Sequence, residues 1–240
     1  MRIALCLTGL IGSLKGKSWL KNGGSDKIID LCYEHTKKHI LDKNDVDVFF
    51  HTWDLEFVDK LKQKYKPKRF SAQKQKVFNE IIPQNTNRVQ AHYSKWYSIG
   101  ECIKMKKLYE YQNKFRYDFV LQCRFDLVWN IDINFNNYEQ DKFYIPRTSK
   151  KGKPWGWPNE SYHEEIGDLF FFSSSKNMDN FSKLYEEINY YLLDGCPTFD
   201  GISNHMLAKW HLKELGLLED KTELVFDDMV PDFVIARKFI

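Results

Sequence analysis

The chain has 240 residues, enough for one large domain, and its 42% hydrophobic and 29% charged side chains are ordinary for a protein with a real core. Its 36 basic and 33 acidic residues leave a formal charge of +3, without the basic excess or clustered arginine of a specific nucleic-acid binder. Five cysteines at wide, irregular spacing (Cys6, Cys32, Cys102, Cys123, Cys196) include no CxxC pair, which removes zinc and dithiol redox motifs and points to a reducing, cytoplasmic compartment.

The run RIALCLT, Arg2–Thr8, is apolar throughout and breaks at Gly9. A strand with both faces buried belongs in the middle of a largely parallel sheet. It is too short for a membrane span and lacks a cleavage site, so it reads as a first strand and not as a signal peptide. The loop after it, Gly12-Ser13-Leu14-Lys15-Gly16-Lys17-Ser18, ends like a phosphate loop but has three residues between its glycines where a Walker A loop needs four. Asp26 is placed to cap a helix over Lys27–Leu41, with Ile28, Ile29, Leu31, Cys32 and Ile40 as its apolar stripe.

A second strand is predicted over Asp47–Trp53 (DVFFHTW), a short helix over Val58–Tyr65, and a brief strand over Pro67–Phe70. The polar stretch Ser71–Gln90 reads as irregular, and Ser94–Lys114 as a helix with Trp96, Ile99, Ile103, Met105, Leu108 and Tyr109 near one face. Phe119–Arg124 is a third long apolar strand closed by Asp126. Short strands follow at Phe143–Pro146 and Asp168–Ser173, separated by a Gly/Pro/Trp-rich loop over Lys150–Glu164. Helices are expected over Met178–Leu193 and Asp200–Leu215, and a last strand at Leu224–Phe226. The whole reads as one α/β domain over residues 1–240, a mostly parallel central sheet flanked by helices.

Candidate chemistry gathers where strands end, because ligands of such sheets sit beyond the carboxyl ends of the strands. Arg124 and Asp126 lie two apart and so share one face, which sets a cation beside a carboxylate; an ion pair internal to the fold explains them as well. Asp168 opens a buried strand, as a cleft carboxylate or as a turn residue. Asp200 opens a helix, as an N-cap or as a general base toward a hydroxyl. His51 and Trp53 end the second strand, where a structural histidine is the plain alternative. Lysine-rich segments such as Lys60–Arg69 read as solvated faces, with weak salt-sensitive nucleic-acid binding at most. The Trp155/Trp157 loop serves either as a lid or as a loop anchored by its rings.

The order of motifs resembles small GT-A sugar transferases of capsule, lipopolysaccharide and large-virus glycan gene sets. The segments that carry the resemblance are LTG, DVFFHTW, YSIGECIKMKKLYE, YDFVLQCRFDL and IGDLFFFSSS, in that order, over residues 2–215. It implies a GT-A-like, Rossmann-like fold and transfer of a hexosyl or related group from a nucleotide-sugar donor to a hydroxyl of a glycan or glycolipid acceptor. It implies donor contacts at Thr8, Gly9, His51, Trp53, Arg124 and Asp126, catalytic roles for Asp168 or Asp200, and a divalent cation, Mn or Mg, on Asp126. In that fold an Asp-x-Asp motif holds the metal; here the segment is Arg124-Phe125-Asp126, so either Asp126 binds the ion or Arg124 neutralises the diphosphate itself. The GQxR segment common after the first strand is Gly9-Leu10-Ile11-Gly12 here, without its arginine. A non-catalytic nucleotide- or glycan-binding module of the same fold is the alternative. No membrane span is expected, with peripheral association left open.

Overall fold

The first strand is apolar at every position because its two faces belong to two different cores. In β1 (Arg2–Gly9), Ile3, Leu5 and Leu7 point into one cluster, while Ala4 and Cys6 point into the other. The computed structural model describes residues 1–11, 26–78, 89–150, 153–155, 166–192, 203–227 and 232–236. In chain order β1 is followed by α1 (Asp26–His39), β2 (Asp45–Thr52), α2 (Val58–Tyr65), β3 (Arg69–Ala72), α3 (Val89–Asn113), β4 (Phe119–Arg124) and β5 (Leu127–Trp129). Then come β6 (Phe143–Lys150), β7 (Lys153–Trp155), β8 (Phe170–Ser173), α4 (Ser175–Phe181), α5 (Leu184–Tyr190), α6 (Asn204–Glu214), β9 (Thr222–Asp227) and β10 (Phe233–Ile235).

The central sheet has eight strands in the order β3-β2-β1-β4-β8-β6-β7, with β9 also paired to β6. Strands β3, β2, β1 and β4 are mutually parallel, as their helical crossovers require. Strand β8 then runs antiparallel to β4 and to β6, so the sheet is mixed, with its parallel half on one side. Helices α1 and α2 cover the face of Ile3 and Leu5, together with a small antiparallel sheet of β5 and β10. Helices α3 to α6 cover the face of Ala4 and Cys6. The fold class expected from the sequence is present: α/β, with a mostly parallel sheet between helices.

Several boundaries differ, each for a local reason. The helix expected over Met178–Leu193 is two helices, α4 and α5, separated at Ser182 and Lys183. The helix expected from Asp200 is described from Asn204, and its cap is Ser203, whose hydroxyl accepts from the Met206 N–H at 3.1 Å. Asp200 and Cys196 lie outside the described residues, as do Gly12–Ser18 and Trp157. Leu108, placed on the apolar face of α3, is instead 44% exposed, because α3 packs on the sheet with one side and on α5 with another. Cys6, Cys32, Cys102 and Cys123 are buried free thiols, used as small apolar side chains. Among the described residues, no helix is long and apolar enough to cross a membrane.

At the end where β4 begins, α3 is held by a buried charged network. Lys106 is 0% exposed, and its ammonium donates to Glu110 at 2.9 Å, Asp179 at 2.7 Å and the Ser175 hydroxyl. Glu110 in turn accepts from the Tyr117 backbone N–H at 2.8 Å and from Ser175 at 2.7 Å, and Arg116 donates to the second oxygen of Asp179 at 2.8 Å. Three donors of one ammonium meet three acceptors, and two cations face two carboxylates, so nothing charged is left unmatched. The network ties α3, α4 and the entry of β4 together. Replacing Lys106 with Met leaves Glu110 a buried carboxylate without its cation and Asp179 with Arg116 alone; we expect a loss of about 3–5 kcal/mol of stability, read from urea denaturation at neutral pH.

Candidate functional site

The parallel register lines up one rung of side chains at the carboxyl edge of the sheet. Thr8 of β1 stands opposite His51 of β2 and opposite Arg124 of β4, all on the face covered by α3. Beyond Thr8 the chain turns at Gly9, whose φ of +103° is a conformation other residues rarely adopt. The turn is fastened from β2: the Thr52 hydroxyl donates to the Gly9 carbonyl at 3.1 Å, and the Asp54 carboxylate accepts from the Ile11 N–H. Thr8 itself is buried and accepts from the Gln122 side-chain amide at 2.9 Å. The oxygen of that amide, Oε1 of Gln122, is buried and meets no donor among the described residues, an open demand for a hydrogen bond.

His51 is fully buried between Nδ1, 2.7 Å from the Ser98 hydroxyl, and Nε2, 2.7 Å from the Gln73 amide. Burial drives its pKa down to about 4, against a smaller upward pull from Glu101, so the ring is neutral at pH 7. Both ring nitrogens are engaged by side chains inside the protein. Trp53 is also buried, its ring edge-on to His51 at 4.6 Å and stacked on Tyr97 at 5.5 Å.

Above this layer sit two clasped ion pairs. Arg124 grips Asp126 with both ends of a fork, Nε to Oδ1 and Nη2 to Oδ2, each at 2.7 Å. Lys95, from the first turns of α3, donates to the Asp168 carboxylate and to its backbone carbonyl, the latter at 2.7 Å. His205 of α6 approaches the same aspartate, with Nδ1 at 3.4 Å from Oδ1 and 2.7 Å from the Ile166 carbonyl. Burial alone would raise the Asp168 pKa, but Lys95, His205 and Arg124 overcome it and hold the carboxyl at about 2. Burial pushes the Lys95 pKa below its ordinary value, which Asp168 opposes and the nearby Arg124 cation reinforces. For Arg124 burial also acts downward, yet Asp126 and Asp168 raise its pKa on balance. The two pairs thus lie within one another's field, and Arg124, Asp126 and Asp168, singled out from the sequence, do come together.

The arrangement does not suit a divalent ion on Asp126. Both oxygens of that carboxylate are occupied by a guanidinium, and the neighbouring Asp168 is held by an ammonium. Among the described residues no group of three or more His, Cys, Asp or Glu side chains is arranged to hold a metal. Two grooves lie away from this edge. One of about 780 Å³ is lined by Lys107, Tyr111 and Arg116 at the opposite edge, and its buried carboxylates Glu110 and Asp179 belong to the Lys106 network. The other, about 590 Å³, lies between α1 and α2 beside Tyr33, Lys60 and Lys64.

The Domain of unknown function (DUF7796) model matches residues 2–153, well over half of the chain. The chain belongs to that family. No curated protein matches it. The DUF7796 match contains Thr8, Gly9, His51, Trp53, Lys95, Arg124 and Asp126, while Asp168, Asp200 and His205 lie beyond it. The site is therefore assembled from the DUF7796 segment and from the part of the chain that follows.

Lys95 is the residue that sequence reasoning missed. Its signal was present: it stands four residues before Ile99, seven before Cys102 and eleven before Lys106, so two lysines occupy the buried stripe of one helix. Neutral buried histidines also set a pH dependence. His211, whose Nδ1 meets the Tyr191 hydroxyl at 2.7 Å, is held by burial at a pKa of about 4, as His51 is. Both pKa values lie below the unfolded value of 6.5, so the unfolded chain binds more protons as pH falls through 6.5 and stability declines. By pH 5 the loss should reach about 2 kcal/mol per histidine, before Asp168 contributes anything. Urea midpoints at pH 7 and pH 5 measure it, and His211→Gln should remove about half of the difference.

Proposed function

We propose that this protein is a glycosyltransferase that moves a sugar from a nucleotide-sugar donor to a hydroxyl of a glycan acceptor, on a GT-A-like fold. The observation that carries the reading is the pair of buttressed cations, Arg124 and Lys95, at the carboxyl edge of the central strands. Two cations held side by side in partly buried surroundings repel each other, and an anion between them relieves that repulsion. A donor diphosphate carries the negative charge that both would meet.

The chemistry asked of the site follows from this placement. The acceptor oxygen forms a bond to the anomeric carbon, the bond from that carbon to the diphosphate oxygen breaks, and its electron pair leaves with the nucleotide. Arg124 and Lys95 stabilise that departing charge. The hydroxyl proton goes to a base. Asp168, held at about 2, is a weak base and serves better to orient Lys95 and the acceptor than to deprotonate it. Asp200 keeps the general-base role proposed from the sequence. The backbone turn at Gly9 and the Thr8 hydroxyl border the donor, while His51 and Trp53 support that border from below.

A non-catalytic module that binds a nucleotide or glycan is favoured by one observation, the weak basicity of Asp168. Hydrolysis separates the two readings. Incubated with a panel of nucleotide sugars and no acceptor, the chain should slowly release nucleoside diphosphate from one donor class. Lys95→Gln should cut that release by roughly 30-fold or more while leaving the circular dichroism spectrum unchanged. Donor binding without release, across the whole panel, would favour the binding module.

A further inference from the structure

We infer that the diphosphate is bound here by fixed side-chain cations, Arg124 and Lys95, and that binding requires no divalent ion. The inference rests on the donor-binding reading above. It departs from the metal-assisted transfer that the resemblance implied, and it does so on geometry. A metal bound to Asp126 would have to displace a guanidinium that already makes two parallel 2.7 Å hydrogen bonds to that carboxylate. Displacement would leave the arginine beside a second positive charge in a partly buried place, where such repulsion is strong.

The carboxylates have a different task in this arrangement. Asp126 is 8% exposed at its side chain and Arg124 29%, so the acid sits inside and the guanidinium faces outward. Two of the five guanidinium N–H groups are spent on Asp126, and among the described residues no other acceptor meets the guanidinium. Lys95 spends two of its three on Asp168, by way of the carboxylate and the backbone carbonyl. Each aspartate therefore fixes the rotamer of a long, flexible cation and aims its remaining donors. That removes much of the side-chain entropy cost of ordering a lysine and an arginine when the ligand arrives. A divalent ion supplies charge at a fixed point; these two pairs supply the same from covalently attached groups.

The test compares binding of a panel of nucleoside diphosphates to the full chain by calorimetry, once in EDTA and once with Mn. We expect one nucleoside diphosphate to bind in EDTA with a Kd within about threefold of its value with Mn, since no interaction depends on the ion. Arg124→Lys keeps a charge but loses the fork, and should weaken that binding about tenfold in both conditions. The comparison on the unaltered chain needs no variant to fold. Binding that appears only with Mn would overturn the inference and leave the donor-site reading intact. Absence of binding by every nucleoside diphosphate in both conditions would overturn both.

Discussion

The buried ammonium of Lys106 fixes the candidate edge from a distance. It binds α3 to α4 and to the residues that enter β4, so helix and strand leave that node with a set relative position. Lys95 lies eleven residues earlier on α3, three turns and about 16 Å along the axis, and so emerges on the same side of the helix. Strand β4 runs from the node toward that same edge and ends at Arg124. The two cations of the candidate site are thus the far ends of two rigid elements clamped together at their other ends. A site held this way loses little precision to loop motion.

Charge in this protein is buried in matched sets, and the sets differ in what they leave over. Around Lys106 every donor has an acceptor, which makes a structural joint. At the opposite edge each acid is gripped by a cation, and among the described residues Arg124 and Lys95 keep N–H groups beyond those spent on Asp126 and Asp168, the feature on which the proposed anion site rests. Beneath it the neutral ring of His51, locked between Ser98 and Gln73, adds shape without adding charge.

The parts of the fold legible in the sequence were those with length or a continuous pattern. The apolar runs of β1 and β4, the helix α2 and the closing position of Asp126 needed only local reading. The strands β5 and β10, at three residues each, are too short to show a period. The direction of β8 was illegible for another reason: three buried phenylalanines in a row carry no sign of which way the strand runs, and only pairing with β4 reveals the reversal. Lys95 was hidden by expectation, since a lysine in an amphipathic helix ordinarily marks the wet side. Its partner Asp168 lies 73 residues away, and nothing local announces such a pairing.

The reversal of β8 has a bearing on how the chain can be divided. It lets a segment beyond residue 153 bring its first residues, Asp168 among them, to the edge where the parallel strands finish. It also means that β8 covers the open side of β4, while β8 and β9 cover both sides of β6. A protein cut at the end of the family match would present β4, apolar on both faces, as an uncovered margin with its peptide groups unpaired, and β6 would lose two neighbours at once. Such margins recruit other chains edge to edge. In this chain β4 and β6 therefore take part of their pairing from strands that lie beyond the matched segment.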